Sequence, residues 1–149
     1  MKGVSNFFIK KYLKNTKYFV DVLPFNHVSK KIFEDKKRCF LIVNTDYCSK
    51  KGEHWFVVEK YNKKYFLFDS LGGINKINKN IEKVIGNKTI RNKFSIQDIL
   101  SSSCGLFCIL YVKLRVIGFS FKEILTFFER KNTIFNENLL KRMFCLFRS

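Results

Sequence analysis

Two short aromatic and β-branched runs, Trp55 to Val58 (WFVV) and Tyr65 to Phe68 (YFLF), are separated by Tyr61-Asn62-Lys63-Lys64. Runs of this composition suit a pleated, packed surface and the polar break suits a tight turn, so the pair reads as a β-hairpin. With Tyr61 opposite Lys64, Phe56 faces Asp69, and His54 becomes the diagonal neighbour of Asp69 on the same face. Diagonal neighbours lie about 7–8 Å apart, a gap that an imidazole and a carboxylate can bridge. A slip of one residue would put the two on opposite faces, so the register is a strong constraint. Both faces of the hairpin are apolar near its middle, which predicts a covering layer on each side.

A second boundary lies at Cys104. Ser101-Ser102-Ser103 is a good helix entry, and Cys104 to Val116 (CGLFCILYVKLRV) is a mostly apolar run that Gly118 terminates. The thiol then lies in the first helical turn, where the helix dipole favours its anion. Gly105 lacks a side chain, which would let a substrate backbone approach the sulfur. Cys108, one turn on, reads as core.

A thiol with an ordinary pKa of about 8.5 needs a neighbouring cation to act as a nucleophile at neutral pH. His54 supplies one, and a carboxylate on its other nitrogen, Asp69, would fix the ring's orientation. Gln97, seven residues before Cys104, would offer its amide beside the Cys104 N–H to a developing oxyanion, a donor typically worth roughly 3 kcal/mol of barrier. Each residue also has an ordinary reading. Cys104 would be core, Asp69 a turn former before Leu71-Gly72-Gly73, and Gln97 a polar residue in a short helix Gln97 to Leu100. Glu59 is the rival acid, yet alternation points it to the Trp55 face, away from His54. His27 follows Pro24 in a loop and reads as structural or surface.

His54-Trp55, an aromatic strand ending in Phe68-Asp69, and Gln97 seven residues before Cys104-Gly105 resemble the adenovirus-type cysteine endopeptidase (adenain) family. The resemblance is more distant to the SUMO-deconjugating, Ulp-like proteases of the same clan. Leu41 to Thr45 (LIVNT), Gly52 to Trp55 (GEHW) and Ser103 to Cys108 (SCGLFC) carry it further, over roughly Tyr18 to Tyr111. The resemblance implies an α+β, papain-like fold in circularly permuted order, with a central mixed sheet flanked by helices. It implies His54 as base, Asp69 as its orienter, Gln97 at the oxyanion hole, Cys104 as nucleophile and Trp55 flanking the substrate groove. The segment after the nucleophile is short for the family. No cysteine lies in Lys88 to Ile96, where the adenovirus enzyme bonds its activating peptide, so that disulfide is not expected here.

At 149 residues with one proline, the chain is most simply one cysteine protease domain, residues 1–149. Its 18 Phe and six Tyr furnish an aromatic core. The longest apolar run, which includes Cys108 to Val112, is too short to span a bilayer, so no membrane partner is expected. Met1 to Leu13 lacks the apolar stretch of a signal peptide and reads as an amphipathic helix with Phe7, Phe8, Ile9, Tyr12 and Leu13 on its apolar side. Five cysteines without a paired C-x-x-C pattern argue against a disulfide framework or a zinc site and suit a reducing compartment. Net charge is +17, from 29 basic and 12 acidic residues, which makes non-specific DNA the natural polyanionic partner; the competing account is a Lys-, Asn-, Ile- and Phe-rich composition.

Elsewhere, Gly73 to Gly86 places Ile74, Ile77, Ile81, Val84 and Ile85 at nearly helical spacing, and Lys88 to Ile96 reads as a further strand. Ser120 with Glu123 forms a capping box opening a helix Phe121 to Glu129, and Glu137 to Phe147 reads as a final basic helix.

These readings converge on a viral cysteine endopeptidase, monomeric, that cleaves capsid or core precursor proteins during virion maturation; the family resemblance implies cleavage after glycine in small-residue motifs. No cofactor is required by the chemistry, with DNA or a viral peptide as candidate activators. The expected location is the virion and the infected host cell, the nucleus in preference to the cytoplasm. An isopeptidase acting at the Gly-Gly end of a ubiquitin-like modifier would share the same site and need a docking surface, for which the sequence offers no acidic or hydrophobic candidate. A basic DNA-binding or packaging protein without turnover is the non-enzymatic alternative.

Overall fold

The structure is a computed structural model in which residues 4–45, 54–72 and 78–148 are described, with side chains through Leu146. A five-stranded mixed sheet runs in the order β1-β2-β3-β4-β5. Its strands are β1 (Phe19–Pro24), β2 (Arg38–Asn44), β3 (Trp55–Tyr61), β4 (Lys64–Phe68) and β5 (Ile90–Arg91). The outer pairs, β1 with β2 and β4 with β5, are parallel, while β2, β3 and β4 pair antiparallel. Helices α1 (Asn6–Leu13), α2 (Lys79–Ile85), α3 (Cys104–Ile117), α4 (Phe121–Thr126) and α5 (Thr133–Arg148) complete the fold. The α+β class with a central mixed sheet flanked by helices therefore holds.

The hairpin has the expected register. Tyr61 pairs with Lys64 and Val57 with Phe68, and the turn closes through Asn62 at φ 55°, a left-handed conformation that asparagine tolerates. Strand β2 shows why both faces are covered. Phe40 and Ile42 join Trp55, Val57 and Phe68 beneath α3, whereas Cys39, Leu41 and Val43 join Phe56, Val58, Leu67 and the α2 residues Ile81 and Ile85 on the other side. A strand buried on both faces loses polar alternation, and Cys39 to Val43 has none.

Helix α3 is the central column, its residues Cys104 to Val112 all buried. It stops at Gly118, whose φ of 117° is open only to glycine, and whose N–H satisfies carbonyls of the last turn. Its far end is tied to the sheet through Glu59, which is fully buried on the α3 face. That carboxylate accepts from Tyr111 Oη at 2.6 Å and from Arg115 Nε and Nη2, both at 2.8 Å, with Arg38 Nε at 3.6 Å. Glu59 is thus a structural anchor on the face its alternation assigned it.

Other elements differ in extent from what the sequence suggests. In α1 the buried pair is Ile9 and Leu13, while Phe7 is exposed, because a helix of about two turns presents only a narrow i, i+4 stripe to α3. Ile74 and Ile77 lie outside the described residues. The expected strand over Lys88 to Ile96 keeps only Ile90–Arg91, since Asn92 turns the chain onto the end of β4. The capping box at Ser120 and Glu123 is present, but α4 ends at Thr126. Helix α5 begins at Thr133, with Asn132 Oδ1 accepting from Phe135 N at 3.0 Å, ahead of the expected Glu137. Among the described residues no helix is long and apolar enough to cross a membrane.

Removing one partner from a buried ion pair strands the other, at a cost of about 3–5 kcal/mol. Glu59→Ala is therefore expected to lower the urea midpoint by a corresponding amount, while the folded variant keeps a selectively reactive Cys104. Undiminished stability with loss of Cys104 reactivity would instead make Glu59 the acid of the site.

Candidate active site

Strand β3 starts just after His54 and β4 stops just before Asp69, so both residues leave the sheet at the same end of the hairpin. The β2–β3 ladder runs on through Thr45 N–H to His54 O at 2.9 Å, which fixes the His54 backbone. His54 Nε2 meets Asp69 Oδ1 at 2.7 Å, with both side chains largely buried. The same carboxylate oxygen accepts the Leu71 N–H at 2.8 Å, an Asx turn that holds its rotamer.

Asp69 is gripped by a residue that the sequence does not reveal. Asn92 Oδ1 accepts the Asp69 N–H at 3.0 Å, and Asn92 Nδ2 donates to Asp69 O at 2.6 Å and to Phe94 O at 3.0 Å. Gly72 permits this: a Cβ there would lie 2.5 Å from Asn92 Nδ2 and 2.9 Å from Asp69 O. The only sequence signal was the Leu71-Gly72-Gly73 turn. Asn92 arrives through tertiary structure, with no local pattern.

Cys104 is the first residue of α3 and is 2% exposed. The expected serine cap is absent. Ser103 Oγ turns instead to both carboxylate oxygens of Glu137 on α5, each at 2.8 Å, and shares a 2.7 Å contact with Ser101 Oγ. The serine hydroxyls therefore tie the head of α3 to α5 and leave its first turn uncapped by a side chain. On the same flank, Asn136 Nδ2 holds Ile96 O at 3.0 Å, a second positioning residue without a sequence signal.

His54 bonds to the Cys104 thiol as well as to Asp69. With Nε2 on Asp69, the nitrogen left for the sulfur is Nδ1. Burial works against a charged ring, but the hydrogen bonds to Asp69 and Cys104 and their negative charge outweigh it, raising His54 from 6.5 to about 9. At neutral pH the ring is an imidazolium whose two N–H groups are both used. Burial pushes the Cys108 thiol well up and raises that of Cys39. Cys145 is exposed, and Cys48 lies outside the described residues.

Gln97 connects the two halves. Ile96 N and Gln97 N donate to Ser70 O at 2.8 and 3.0 Å, Ser70 Oγ donates to Gln97 Oε1 at 2.5 Å, and Gln97 Nε2 donates to Ser101 O at 2.7 Å. Only the amide nitrogen can serve that carbonyl, so the network orients the side chain. One amide hydrogen is spent on Ser101 and one remains. The region reads as turn, not as a helix Gln97 to Leu100.

The two residues expected at a substrate groove meet the first turn of α1. Trp55 is buried, its indole N–H donating to Asn6 Oδ1 at 2.6 Å. A Cβ on Gly105 would strike Val4 Cγ2 and lie 3.2 Å from Ile9 Cδ1. In this structure the missing side chain of Gly105 admits the N-terminal segment.

The chain matches no protein-family model and no curated protein sequence. Among solved structures, it superposes on the ASFV pS273R protease with a TM-score of 0.56 at 15% identity, covering 90% of this chain and 65% of that one. The Se-Met form of that protease gives a TM-score of 0.54 at 15% identity over the same shares. The SUMO protease Ulp1 with its catalytic cysteine oxidized to a sulfinic acid gives 0.42 at 15% identity, covering 92% of this chain and 75% of that one. The fold is thus that of the pS273R protease, of whose length this chain spans 65%. Membership of the adenovirus-type branch is a finer statement than this likeness carries.

If His54 returns its proton to a leaving amine, it works only while protonated, and turnover should fall as pH rises through about 9. Asp69→Asn removes a cause that raises the ring's affinity for its proton, and the alkaline limb should move to lower pH. The rate at neutral pH should drop on the order of 10²-fold or more, yet less than with His54→Ala, because the amide oxygen can still hold the ring. A pH–kcat/KM series on the three proteins checks this; an unmoved limb in Asp69→Asn would contradict it.

Proposed function

We propose that this chain is a thiol protease. The observation that carries the reading is His54 held between the Asp69 carboxylate and the Cys104 thiol at the head of α3. The imidazolium beside it favours the sulfur anion, which attacks the scissile carbonyl. Charge developing on the carbonyl oxygen falls to the Cys104 N–H and the remaining Gln97 amide hydrogen. His54 Nδ1 then gives its proton to the departing amine, leaving an acyl-enzyme and a neutral ring. The neutral ring takes a proton from water, which releases the acyl group. Asp69 keeps the ring oriented throughout.

The fold shared with a protease of ASFV supports a viral endopeptidase acting on precursor proteins during virion maturation, in the virion and the infected cell. Cleavage after glycine rests on the family resemblance of the sequence and on the crowding around Cys104. The charge of +17 supports a non-specific duplex DNA partner that raises the effective concentration of enzyme and DNA-associated substrate.

One observation favours the isopeptidase as a second reading. Ile99, Leu100 and Ile134 are 64%, 93% and 72% exposed, and Thr133 Oγ1 to Asp98 Oδ2 at 3.5 Å brings their segments together beside the Gln97 loop. That apolar patch is the docking candidate the sequence did not show.

Neutral-pH labelling with iodoacetamide should modify Cys104 well ahead of buried Cys39 and Cys108 and faster than exposed Cys145. Cys104→Ala should abolish cleavage of a peptide library in which wild-type products end in glycine. Cleavage of a Gly-Gly-linked modifier that Leu100→Asp impairs, with peptide cleavage retained, would favour the isopeptidase. DNA binding with all thiols labelled alike and no cleavage would leave a binding protein without turnover. Rates on a DNA-bound substrate should rise with duplex at low salt and lose that gain as salt increases.

A further inference from the structure

Trp55 and Gly105 adjoin the two halves of the reacting pair, one following His54 and the other following Cys104. Consecutive Cα atoms are about 3.8 Å apart, so an element that touches both residues lies against the backbone that carries the reacting pair. Among the described residues, the segment that enters α1 does so. Asn6 accepts the Trp55 indole N–H, and Val4 fills the space over Gly105. We infer that the segment Val4 to Asn6, which leads into α1, is the specificity wall of the site, with Asn6 setting the Trp55 indole and Val4 excluding a β-carbon from the substrate residue just ahead of the scissile bond.

The anchoring of α1 makes it a wall. Ile9 and Leu13 are fully buried against the central core, and Ile9 itself lies against Gly105. Ser5 Oγ caps the helix at Phe8 N, 3.1 Å away, so the backbone between Val4 and Asn6 is fixed to the same anchor. Gly105 completes the arrangement, since any side chain there would push Val4 outward. Val4 and Asn6 touch neither the proton nor the electrons of the reaction. Val4 acts by occupying volume, and Asn6 is a positioning residue that acts through Trp55.

This inference deepens the protease reading and rests on it, and the two can fail separately. The full chain is assayed on matched N-acetyl peptide aminomethylcoumarin amides ending in Gly-Gly or Gly-Ala. One β-carbon in a tight pocket is worth about 10–200-fold in kcat/KM, so wild type should prefer the Gly-Gly amide by at least about tenfold. Val4→Gly and the milder Val4→Ala should erase most of that preference by raising the Gly-Ala rate. Asn6→Ala should also lower the preference, whereas Asn6→Asp, which keeps the acceptor oxygen, should retain it. Trp55 is the single tryptophan of the chain, so its emission should shift to the red in Asn6→Ala and stay put in Asn6→Asp. A Gly/Ala ratio unchanged across the Val4 variants would overturn the inference while leaving the protease intact. An equal rise on both substrates would also overturn it, by making the segment a removable strap. Loss of all cleavage in wild type, with Cys104 no more reactive than Cys145, would remove the protease reading and the wall with it.

Discussion

The His54 ring is held by a carboxylate from the sheet and a thiol from a helix, and that three-part contact demands that the two layers meet in one registration. Asp69 reaches His54 only if β3 and β4 pair with Tyr61 opposite Lys64. Cys104 reaches the same ring only if α3 lies across the sheet at the right height. The second condition is met at the other end of the helix. Arg115 and Tyr111 clamp buried Glu59, and Cys104 lies eleven residues before Arg115, roughly 16 Å along the axis at 1.5 Å per residue. The Glu59 cluster is therefore an alignment device for a site it never touches.

Around the contact, satisfied polar groups replace what loops alone would leave loose. Asn92 holds both main-chain groups of Asp69, Ser70 and Gln97 bridge to Ser101, and Ser103 reaches Glu137. Each is buried or half-buried, and a buried donor or acceptor left unmade costs about 1–3 kcal/mol. Such a web resists displacement of His54, Asp69 and Cys104 by the fraction of an ångström that orientation-dependent chemistry cannot tolerate.

The hairpin, its register and the His54–Asp69 contact were legible because alternation and turn chemistry are local. The same holds for α3, bounded by Cys104 and Gly118, and for the Ser120–Glu123 box. Glu59 was readable as facing away from His54, though not as an anchor, since the hydrogen-bond donors Tyr111 and Arg115 lie more than fifty residues away. Asn92 and Asn136 were invisible because the groups they position, Asp69 and Ile96, lie 23 and 40 residues away with no local pattern linking them. Gly105 misled: its lack of a side chain suggested access for substrate, and the structure uses it for Val4 and Ile9. The Ser101 to Ser103 run suggested capping, yet a carboxylate on α5 competes more strongly for the hydroxyl of Ser103 than a backbone N–H does.

The central claim is a buried imidazolium at His54 that persists through neutral pH because Asp69 and Cys104 hold it. With two histidines in the chain, a ¹⁵N-histidine NMR titration resolves each ring, and a His27→Gln sample assigns them. The account predicts that the His54 nitrogens keep imidazolium shifts until about pH 9, and that Cys104→Ala moves this transition to lower pH. A His54 ring that is already neutral at pH 7 in the wild-type protein would contradict it.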